Sequence, residues 1–238
     1  MDPLLMAFVL LAVTVSFAVS ASAGFGGSLV LVPALALVLG TKEGIALSAL
    51  LLAANNIVKA WAYRETLPFR RSASLIVLIV FGTAIGAFAL VLTPEKVVTV
   101  GVLASFILAF LVERLDMERI RHAGAPLLAL ASGATSGFSG TAGPLKGLAV
   151  RSLDFDRRHL VGALCLVSLF GDVTKTAIWT KASLISMEGY ILALAATPLM
   201  IAATLLGRRL NRNLGERGYA GLFWAVMAGY TVRLATSL

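Results

Sequence analysis

Two glycine-rich runs and one lysine form the part of this sequence that is best suited to bind a ligand. The first run is Gly24-Phe25-Gly26-Gly27, followed directly by Ser28, and the second is Gly140-Thr141-Ala142-Gly143, preceded by Ser139. Glycines let the backbone turn sharply and approach a ligand closely. A helix that begins after such a turn presents free N–H groups and the positive end of its dipole, which together bind anions. Lys146 would add a positive charge to such an anion site.

The composition places these runs inside a membrane. Of the 238 residues, 59% are hydrophobic and 13% are charged, and the mean hydropathy is +0.93. Because soluble domains carry about 25% charged residues, a soluble globular domain, a disordered chain and a disulfide-rich secreted domain are excluded. Cys165 is the only cysteine in the sequence, so neither a disulfide framework nor a cysteine metal site is expected.

The apolar runs of the chain are long enough to form transmembrane helices. No charged residue occurs from Pro3 to Thr41, and about 20 apolar residues suffice for one helical crossing. The other apolar runs lie at about 44–62, 72–93, 97–112, 122–150, 160–180, 183–207 and 218–236. Since exposed strands do not survive in lipid outside a closed barrel, we predict an all-α polytopic membrane protein.

Arginines mark one set of connecting loops. The chain carries 20 Lys and Arg against 12 Asp and Glu, a net charge of +8. The loops with three or four arginines are 64–71, 114–121, 151–158 and 208–217, whereas those with a single lysine are 42–43, 95–96 and 181–188. By the positive-inside rule the first set is cytoplasmic and the second lies on the outer side. The positive charge therefore indicates topology, and no nucleic-acid partner is expected.

The run at 122–150 is predicted to be a hairpin, because both of its flanking loops belong to the cytoplasmic set. As a single helix its 29 residues would be about 44 Å long, which is ample for one crossing and barely enough for two. We expect it to enter the membrane, turn near Gly140 and return, with Pro144 in the first turn of the returning helix. The charge-free stretch that begins at Pro3 is expected to turn near Gly24 in the same way.

An offset of 116 residues relates the two halves of the chain. It pairs Gly24 with Gly140, Asn56 with Asp172, and Lys59 with Lys175. Equivalent loops of the two halves carry opposite numbers of arginines, so they lie on opposite sides of the membrane. We therefore predict two inverted repeats, residues 1–121 and 122–238, which together form one transmembrane domain. Each repeat would contain a glycine-rich broken-helix hairpin and about three transmembrane helices, a plan that occurs in secondary transporters.

Polar side chains within the apolar runs extend the candidate site. Lys146 follows the second glycine run, and an ionisable group at membrane depth is functional by default. We therefore favour a functional Lys146 over one that extends to the cytoplasmic surface. Asn55 and Asn56 are expected beside the predicted cavity, where they would either contact the substrate or join helices by hydrogen bonds.

Three further charged residues are candidates for ion coupling or an ion pair. Lys59 lies close to Trp61 in the sequence, and Lys175 lies close to Trp179. Because aromatic residues and extended lysines commonly mark the ends of membrane spans, we favour an interfacial position for both lysines. Asp172 precedes Lys175 by three residues, which places both on one helix face. Asp172 is therefore a candidate proton carrier or the acidic partner of an ion pair.

Three short motifs carry a resemblance to a known family. They are Gly24-Phe25-Gly26-Gly27 followed by Leu29-Val30-Leu31-Val32-Pro33, the pair Asn55-Asn56, and Gly137-Phe138-Ser139-Gly140-Thr141-Ala142-Gly143-Pro144. With these motifs the sequence resembles the sulfite exporter TauE/SafE family, also called the toluene-sulfonate uptake permease family, over most of its length. The resemblance implies a multi-pass protein of the bacterial inner membrane that exports sulfite, sulfonates or related sulfur-containing anions. Thr141 and Ala142 depart from the more glycine-dense second run of the family.

We therefore expect a secondary transporter and not an enzyme. Backbone N–H groups near Gly26-Gly27-Ser28 and Gly140-Thr141-Ala142-Gly143 would hold the anion, and Lys146 would supply the compensating charge. Rocking of one hairpin-bearing bundle against the other would give alternating access. The expected partners are a small inorganic or organosulfur anion and the lipid bilayer, with no cofactor and no metal. Assembly into a homo-oligomer is left open.

Other functions remain compatible with the same apolar helices. One alternative is an anion channel, and another is a membrane scaffold that transports nothing. A third is a rhomboid-like intramembrane serine protease, because Gly137-Phe138-Ser139-Gly140 matches the Gly-x-Ser-Gly motif of those enzymes. Such a protease needs a histidine base near the serine, whereas His122 and His159 both lie beside predicted cytoplasmic loops.

Overall fold

Helices make up the part of the chain that the structure describes. The structure, a computed structural model, describes residues 3–23, 27–114, 124–141 and 143–210, and no strand occurs within these ranges. The helices are α1 (Pro3–Ala23), α2 (Gly27–Leu39), α3 (Thr41–Ala62), α4 (Phe69–Leu92), α5 (Glu95–Arg114), α6 (Ala125–Ser139), α7 (Gly143–Arg151), α8 (Arg157–Lys181) and α9 (Met187–Leu210), with a 3-10 turn at Arg64–Thr66. The predicted all-α fold is confirmed for these residues, and the apolar run at 218–236 lies outside them.

Four of the described helices are long and apolar enough to cross a membrane. They comprise Thr41–Ala62, Phe69–Leu92, His159–Lys181 and Met187–Leu206. On α4, the exposed side chains of Val77, Phe81, Ile85 and Phe88 recur every three or four residues and form one stripe. A stripe of large exposed apolar side chains is suited to contact with lipid rather than with water.

The two long apolar runs that contain the glycine motifs are each divided into two helices. α1 ends at Ala23 and α2 begins at Gly27, and residues 24–26 lie outside the described part of the chain. α6 ends at Ser139, and Gly140 then takes a left-handed conformation with φ of 80°, which favours glycine and ends a helix. α7 begins only at Gly143. The helix break predicted at Gly140 is therefore present.

The connecting loops contact each other within the two predicted sets. Arg71 Nη2 donates to the carbonyl oxygen of Leu153 at 2.9 Å, which joins two arginine-rich loops. At the other ends of α3 and α8, Glu43 Oε1 accepts from Ser186 N at 3.2 Å, which joins two arginine-poor loops. This grouping agrees with the cytoplasmic and outer sets predicted from the arginine distribution.

α4 and α6 pack more closely than ordinary side chains allow. Gly82 and Gly86 of α4 lie against the backbone of α6, and Gly133 and Gly137 of α6 lie against the backbone of α4. A Cβ atom at any of these four positions would overlap a carbonyl oxygen of the opposite helix. Small residues permit such an approach, and close packing is what holds helices together in lipid. The contact fixes the second hairpin, through α6, against a helix of the first half.

We expect Gly137→Ala to lower the free energy of unfolding by about 2 kcal/mol, because its Cβ would overlap the carbonyl oxygen of Thr83. The matched control is Gly147→Ala in α7, whose Cβ would meet no described atom within 4 Å. The control should leave stability unchanged or raise it by up to about 1 kcal/mol through helix propensity. Denaturant unfolding of both variants in detergent micelles measures the difference. Equal stability of the two variants would contradict the close contact between α4 and α6.

Candidate functional site

The described residues beside the two glycine-rich runs meet, with Ser28 marking the tip of the first hairpin and Thr141 the tip of the second. The hydroxyl oxygens of Ser28, in the first turn of α2, and Thr141, just after the break in α6, lie 2.8 Å apart. These residues are 113 positions apart in the sequence. A Cβ at Gly140 would lie 3.0 Å from a methyl carbon of Val32 in α2 and of Ile45 in α3. The second break is therefore packed against the helix that follows the first.

Part of the predicted site lies outside the described residues. Gly24, Gly26 and Ala142 belong to this part. Gly27 is the first residue of α2, and Gly143 is the first residue of α7. Both glycines therefore stand where a helix has N–H groups without partners in the helix itself, which is the feature from which an anion site is predicted.

Lys59 and Lys175 are buried and make equivalent contacts. Lys59 Nζ on α3 donates to Ser20 Oγ on α1 at 2.9 Å, and Lys175 Nζ on α8 donates to Ser136 Oγ on α6 at 3.1 Å. In both pairs the lysine follows the serine by 39 residues. The exposed fraction is 5% for Lys59 and 0% for Lys175. Both lysines therefore lie in the protein interior and do not extend to its surface.

The tryptophans that suggested an interface lie in different environments. Trp61 is 66% exposed. It lies two positions after Lys59, a spacing that corresponds to a rotation of about 200° around the helix axis, so the two side chains lie on different sides of α3. Trp179 is fully buried, its Nε1 donates to the carbonyl oxygen of Ala87 at 3.2 Å, and Lys175 Nζ lies 5.9 Å from its ring centre. A tryptophan near a lysine thus faces outward in one half and lies in the core in the other.

Lys175 is the centre of a buried polar network. Its Nζ lies 2.8 Å from Asp172 Oδ1 and donates to the carbonyl oxygen of Gly140 at 2.9 Å, in addition to its bond with Ser136. A lysine ammonium has three N–H donors, so the donors of Lys175 are all used within the protein. Asp172 Oδ2 accepts from Asn56 Nδ2 at 2.7 Å. The network joins α3, α8 and the tip of the second hairpin.

Lys146 occupies an interior position beside this network. It is 9% exposed, and its Nζ donates to Ser168 Oγ on α8 at 3.3 Å. It also interacts electrostatically with Asp172, Lys175 and Lys59. Lys146 is therefore buried in the described part of the chain, as a functional role for it requires.

The two asparagines of α3 contact other helices and keep unused polar atoms. Thr204 Oγ1 donates to Asn55 Oδ1 at 2.5 Å, which joins α9 to α3. Asn55 Nδ2 and Asn56 Oδ1 are buried and have no hydrogen-bond partner among the described residues. Buried polar groups are nearly always hydrogen-bonded, so these atoms are available to a ligand or to water.

Buried lysines outnumber buried carboxylates. Among the described residues, the buried ionisable side chains with a formal charge are those of Lys59, Lys146, Asp172 and Lys175, three positive and one negative, a formal net charge of +2. Asp172 interacts electrostatically with Lys59 and Lys146 in addition to its ion pair with Lys175. Taking an ion out of water costs several kcal/mol unless a partner compensates its charge. This cluster is therefore suited to attract an anion.

Ser139 lacks the surroundings of a catalytic serine. Its Oγ lies 2.9 Å from the carbonyl oxygen of Thr135 and 3.0 Å from that of Thr141, so its proton is directed to the backbone. His159 lies exposed at the start of α8, where its ring contacts the Asp156 carboxylate. His122 lies outside the described residues. The protease alternative has no support in the described part of the chain, and Ser139 is not a free donor for an anion.

Two serines of this site are missing from the residues singled out in the sequence. They are Ser20, the partner of Lys59, and Ser168, the partner of Lys146. Serine is common in apolar helices, so residue type alone does not identify either. The repeat offset of 116 residues would have found Ser20, because it places Ser20 on Ser136. No comparable signal marks Ser168.

The family comparison covers nearly all of this architecture. The sequence profile of the family described as Sulfite exporter TauE/SafE matches residues 8–234, a range that includes both glycine-rich runs and the four buried charged residues of the described part. No curated protein and no solved structure matches the chain. The matched family is one of membrane transporters and not of enzymes. The chain therefore belongs to the sulfite exporter TauE/SafE family of membrane transporters.

Proposed function

We propose that the chain is a secondary transporter of sulfite, sulfonates or related sulfur-containing anions, with the substrate bound between the two helix breaks. The observation that carries this proposal is the excess of buried lysine over buried carboxylate close to the tips. A bound anion would offset this excess of positive charge. Such balance matters because an uncompensated charge is expensive in a medium of low dielectric constant.

The three buried lysines differ in the number of donors they can offer to a substrate. Lys175 uses its three N–H donors within the protein. Among the described residues, Lys59 and Lys146 each donate a single hydrogen bond, in both cases to a serine hydroxyl. Each of these two ammonium groups therefore has two donors that no described residue uses. We assign Lys59 and Lys146 as substrate ligands and Lys175 as the residue that holds the second tip in place.

Helix starts and hydroxyl groups complete the proposed site. The N–H groups at Gly27 and Gly143 would donate to the oxygen atoms of the anion. The hydroxyls of Ser28 and Thr141 are bonded to each other at 2.8 Å, so an anion that enters between the tips exchanges this one bond for two bonds to itself. Asn55 Nδ2, which is buried without a partner among the described residues, would supply a further donor. The proposed site also includes the backbone at Gly24, Gly26, Gly140 and Ala142.

We further propose that two inverted repeats, residues 1–121 and 122–238, give alternating access. The matched serine–lysine pairs support this, as does the direct hydrogen bond between Asn56 and Asp172, which are 116 residues apart. Each hairpin also packs against the other half, since α1 contacts α9 and α6 contacts α4. A rocking motion of one hairpin bundle would open the site to one side at a time. Export, and residence in the bacterial inner membrane, belong to the same proposal and rest on family membership.

Uptake by purified protein in proteoliposomes tests the proposed function. Sulfite, sulfate, thiosulfate and methanesulfonate serve as probes, each at a series of concentrations. We expect saturable uptake of at least one of them, inhibited by the others that bind, because a transporter exposes a limited number of sites per cycle. An anion channel would instead give uptake that rises linearly with concentration and follows an imposed voltage. Absence of uptake for all four anions would contradict the proposal.

A further inference from the structure

We propose that Asp172 carries a proton that moves together with the anion, so that one proton and one anion cross in the same direction. This inference rests on the proposed function. Asp172 is 4% exposed and is the one buried carboxylate among the described residues. It interacts electrostatically with Lys59 and Lys146, the two lysines assigned to the substrate. Its charge therefore acts directly on an anion bound between them.

The two oxygen atoms of Asp172 link the carboxylate to both halves of the chain. Oδ1 lies 2.8 Å from Lys175 Nζ, and Oδ2 accepts from Asn56 Nδ2 at 2.7 Å. Lys175 in turn donates to the carbonyl oxygen of Gly140, at the tip of the second hairpin. A change of charge on Asp172 therefore reaches the tip through a single side chain.

Lysines dominate the electrostatic environment of Asp172. The elements that pack against α8 are α3, α4, α6, α7 and the 3-10 turn at Arg64–Thr66. α6 carries no charged residue. The charges near the ends of the other elements and of α8 are Lys42, Glu43, Arg64, Glu65, Arg70, Arg71, Arg151, Asp154, Asp156, Arg157, Arg158, His159 and Lys181. The charged groups that act on Asp172 at mid-helix are Lys59, Lys146 and Lys175. The buried thiol of Cys165 on the same helix is a further titratable group.

Proton binding at Asp172 and anion binding at the lysines favour each other. Protonation removes a negative charge that repels the anion and raises the formal charge of the buried cluster from +2 to +3. A bound anion, in turn, compensates the positive charge of Lys175 while Asp172 is neutral. Binding couplings are reciprocal. The bound anion therefore raises the affinity for the proton by the same factor as the bound proton raises the affinity for the anion. The proton bonds to a carboxylate oxygen of Asp172 on the loading side and returns to water on the other side, which regenerates the carboxylate.

A double substitution can move the carboxylate from residue 172 to residue 56, its equivalent in the first repeat. Asn56 is the repeat equivalent of Asp172, and the two side chains are in direct contact. The double substitution Asn56→Asp with Asp172→Asn keeps an amide and a carboxylate at this contact but places the carboxylate on α3, three residues before Lys59. The proton carrier is thereby transferred to the other repeat, so the double variant should recover a function that Asp172→Asn alone has lost.

Accumulation driven by a pH gradient tests the inference. Proteoliposomes carry a gradient of one pH unit with the membrane potential held at zero, and the probes are sulfate, thiosulfate and methanesulfonate, which stay ionised. We expect the wild type to accumulate a transported anion about tenfold on the alkaline side, because one pH unit is a tenfold proton gradient. Asp172→Asn should equilibrate the anion without accumulation, and the double variant should accumulate it again.

Several results would overturn the inference. Tenfold accumulation by Asp172→Asn would overturn it. Equilibration without accumulation by the wild type would also overturn it, and this measurement does not depend on whether Asp172→Asn folds. If sulfite alone is transported, its uptake is measured at two pH values, and the same pH dependence in the wild type and in Asp172→Asn would overturn the inference. A wild type that moves none of the four anions would overturn the proposed function as well, so the two failures are distinguishable.

Discussion

Lys59→Met and Lys146→Met are each expected to weaken anion binding about hundredfold while leaving the folded protein at least as stable as the wild type. Each lysine is buried, and among the described residues neither has a carboxylate as its hydrogen-bond partner. An uncharged side chain of similar length therefore relieves an uncompensated charge in the empty protein. The anion, in contrast, loses a buried charged partner, and such losses typically cost about 2–5 kcal/mol. The result is a variant that folds well and binds poorly.

Two measurements separate this outcome from a purely structural role of the lysines. Calorimetric titration of the purified protein with the transported anion gives the affinity, and thermal unfolding in the same detergent gives the stability. Lys181→Met is the matched control, because Lys181 is exposed at the end of α8. The control should bind like the wild type. Wild-type affinity in both Lys59→Met and Lys146→Met would show that the anion does not bind to these lysines.

Lys175→Met is expected to lower the free energy of unfolding by about 4 kcal/mol. The substitution leaves the Asp172 carboxylate buried without its cation and removes a donor from the carbonyl oxygen of Gly140. Breaking a buried ion pair by removal of one partner costs about 3–5 kcal/mol, because the remaining charge stays uncompensated. The loss should appear as a lower midpoint of denaturant unfolding in detergent micelles.

A double variant and the repeat-equivalent lysine provide the controls for this prediction. Lys175→Met combined with Asp172→Asn should recover most of the lost stability, because the neutral amide no longer needs a cation. Lys59→Met removes the equivalent lysine, whose hydrogen-bond partner is the hydroxyl of Ser20 rather than a carboxylate. Its effect on stability should therefore have the opposite sign. A similar destabilisation by both lysine substitutions would argue against a special role of Lys175 at the second tip.

The helix break at the second glycine run could be predicted from the sequence because the physical requirement is local. The left-handed conformation of Gly140 is one that glycine adopts readily, and the arginine-rich loops on both sides of the run required a return to the same side. Helical structure in the apolar runs was equally predictable, since lipid leaves few alternatives for the backbone.

The positions of Lys59 and Lys175 could not be predicted, because they depend on which side of each helix faces the core. Sequence position fixes the depth of a residue along a helix, whereas its environment follows from the packing of neighbouring helices. Lys59 and Trp61 illustrate this, since they are two residues apart but lie on different sides of α3, one buried and one exposed. The hydrogen bond between Asn56 and Asp172 likewise depends on the contact between α3 and α8.

The position of a bound anion is the most direct test of the proposed site. Selenite is the selenium analogue of sulfite, and anomalous diffraction from crystals grown with selenite locates the selenium atom. We predict one selenium site between the tips at Ser28 and Thr141, with its oxygen atoms about 2.7–3.2 Å from Nζ of Lys59 and Lys146. A selenium atom found only elsewhere, for example in the cavity of about 410 Å³ that Arg70, Arg71 and His159 help to line, would contradict the proposal.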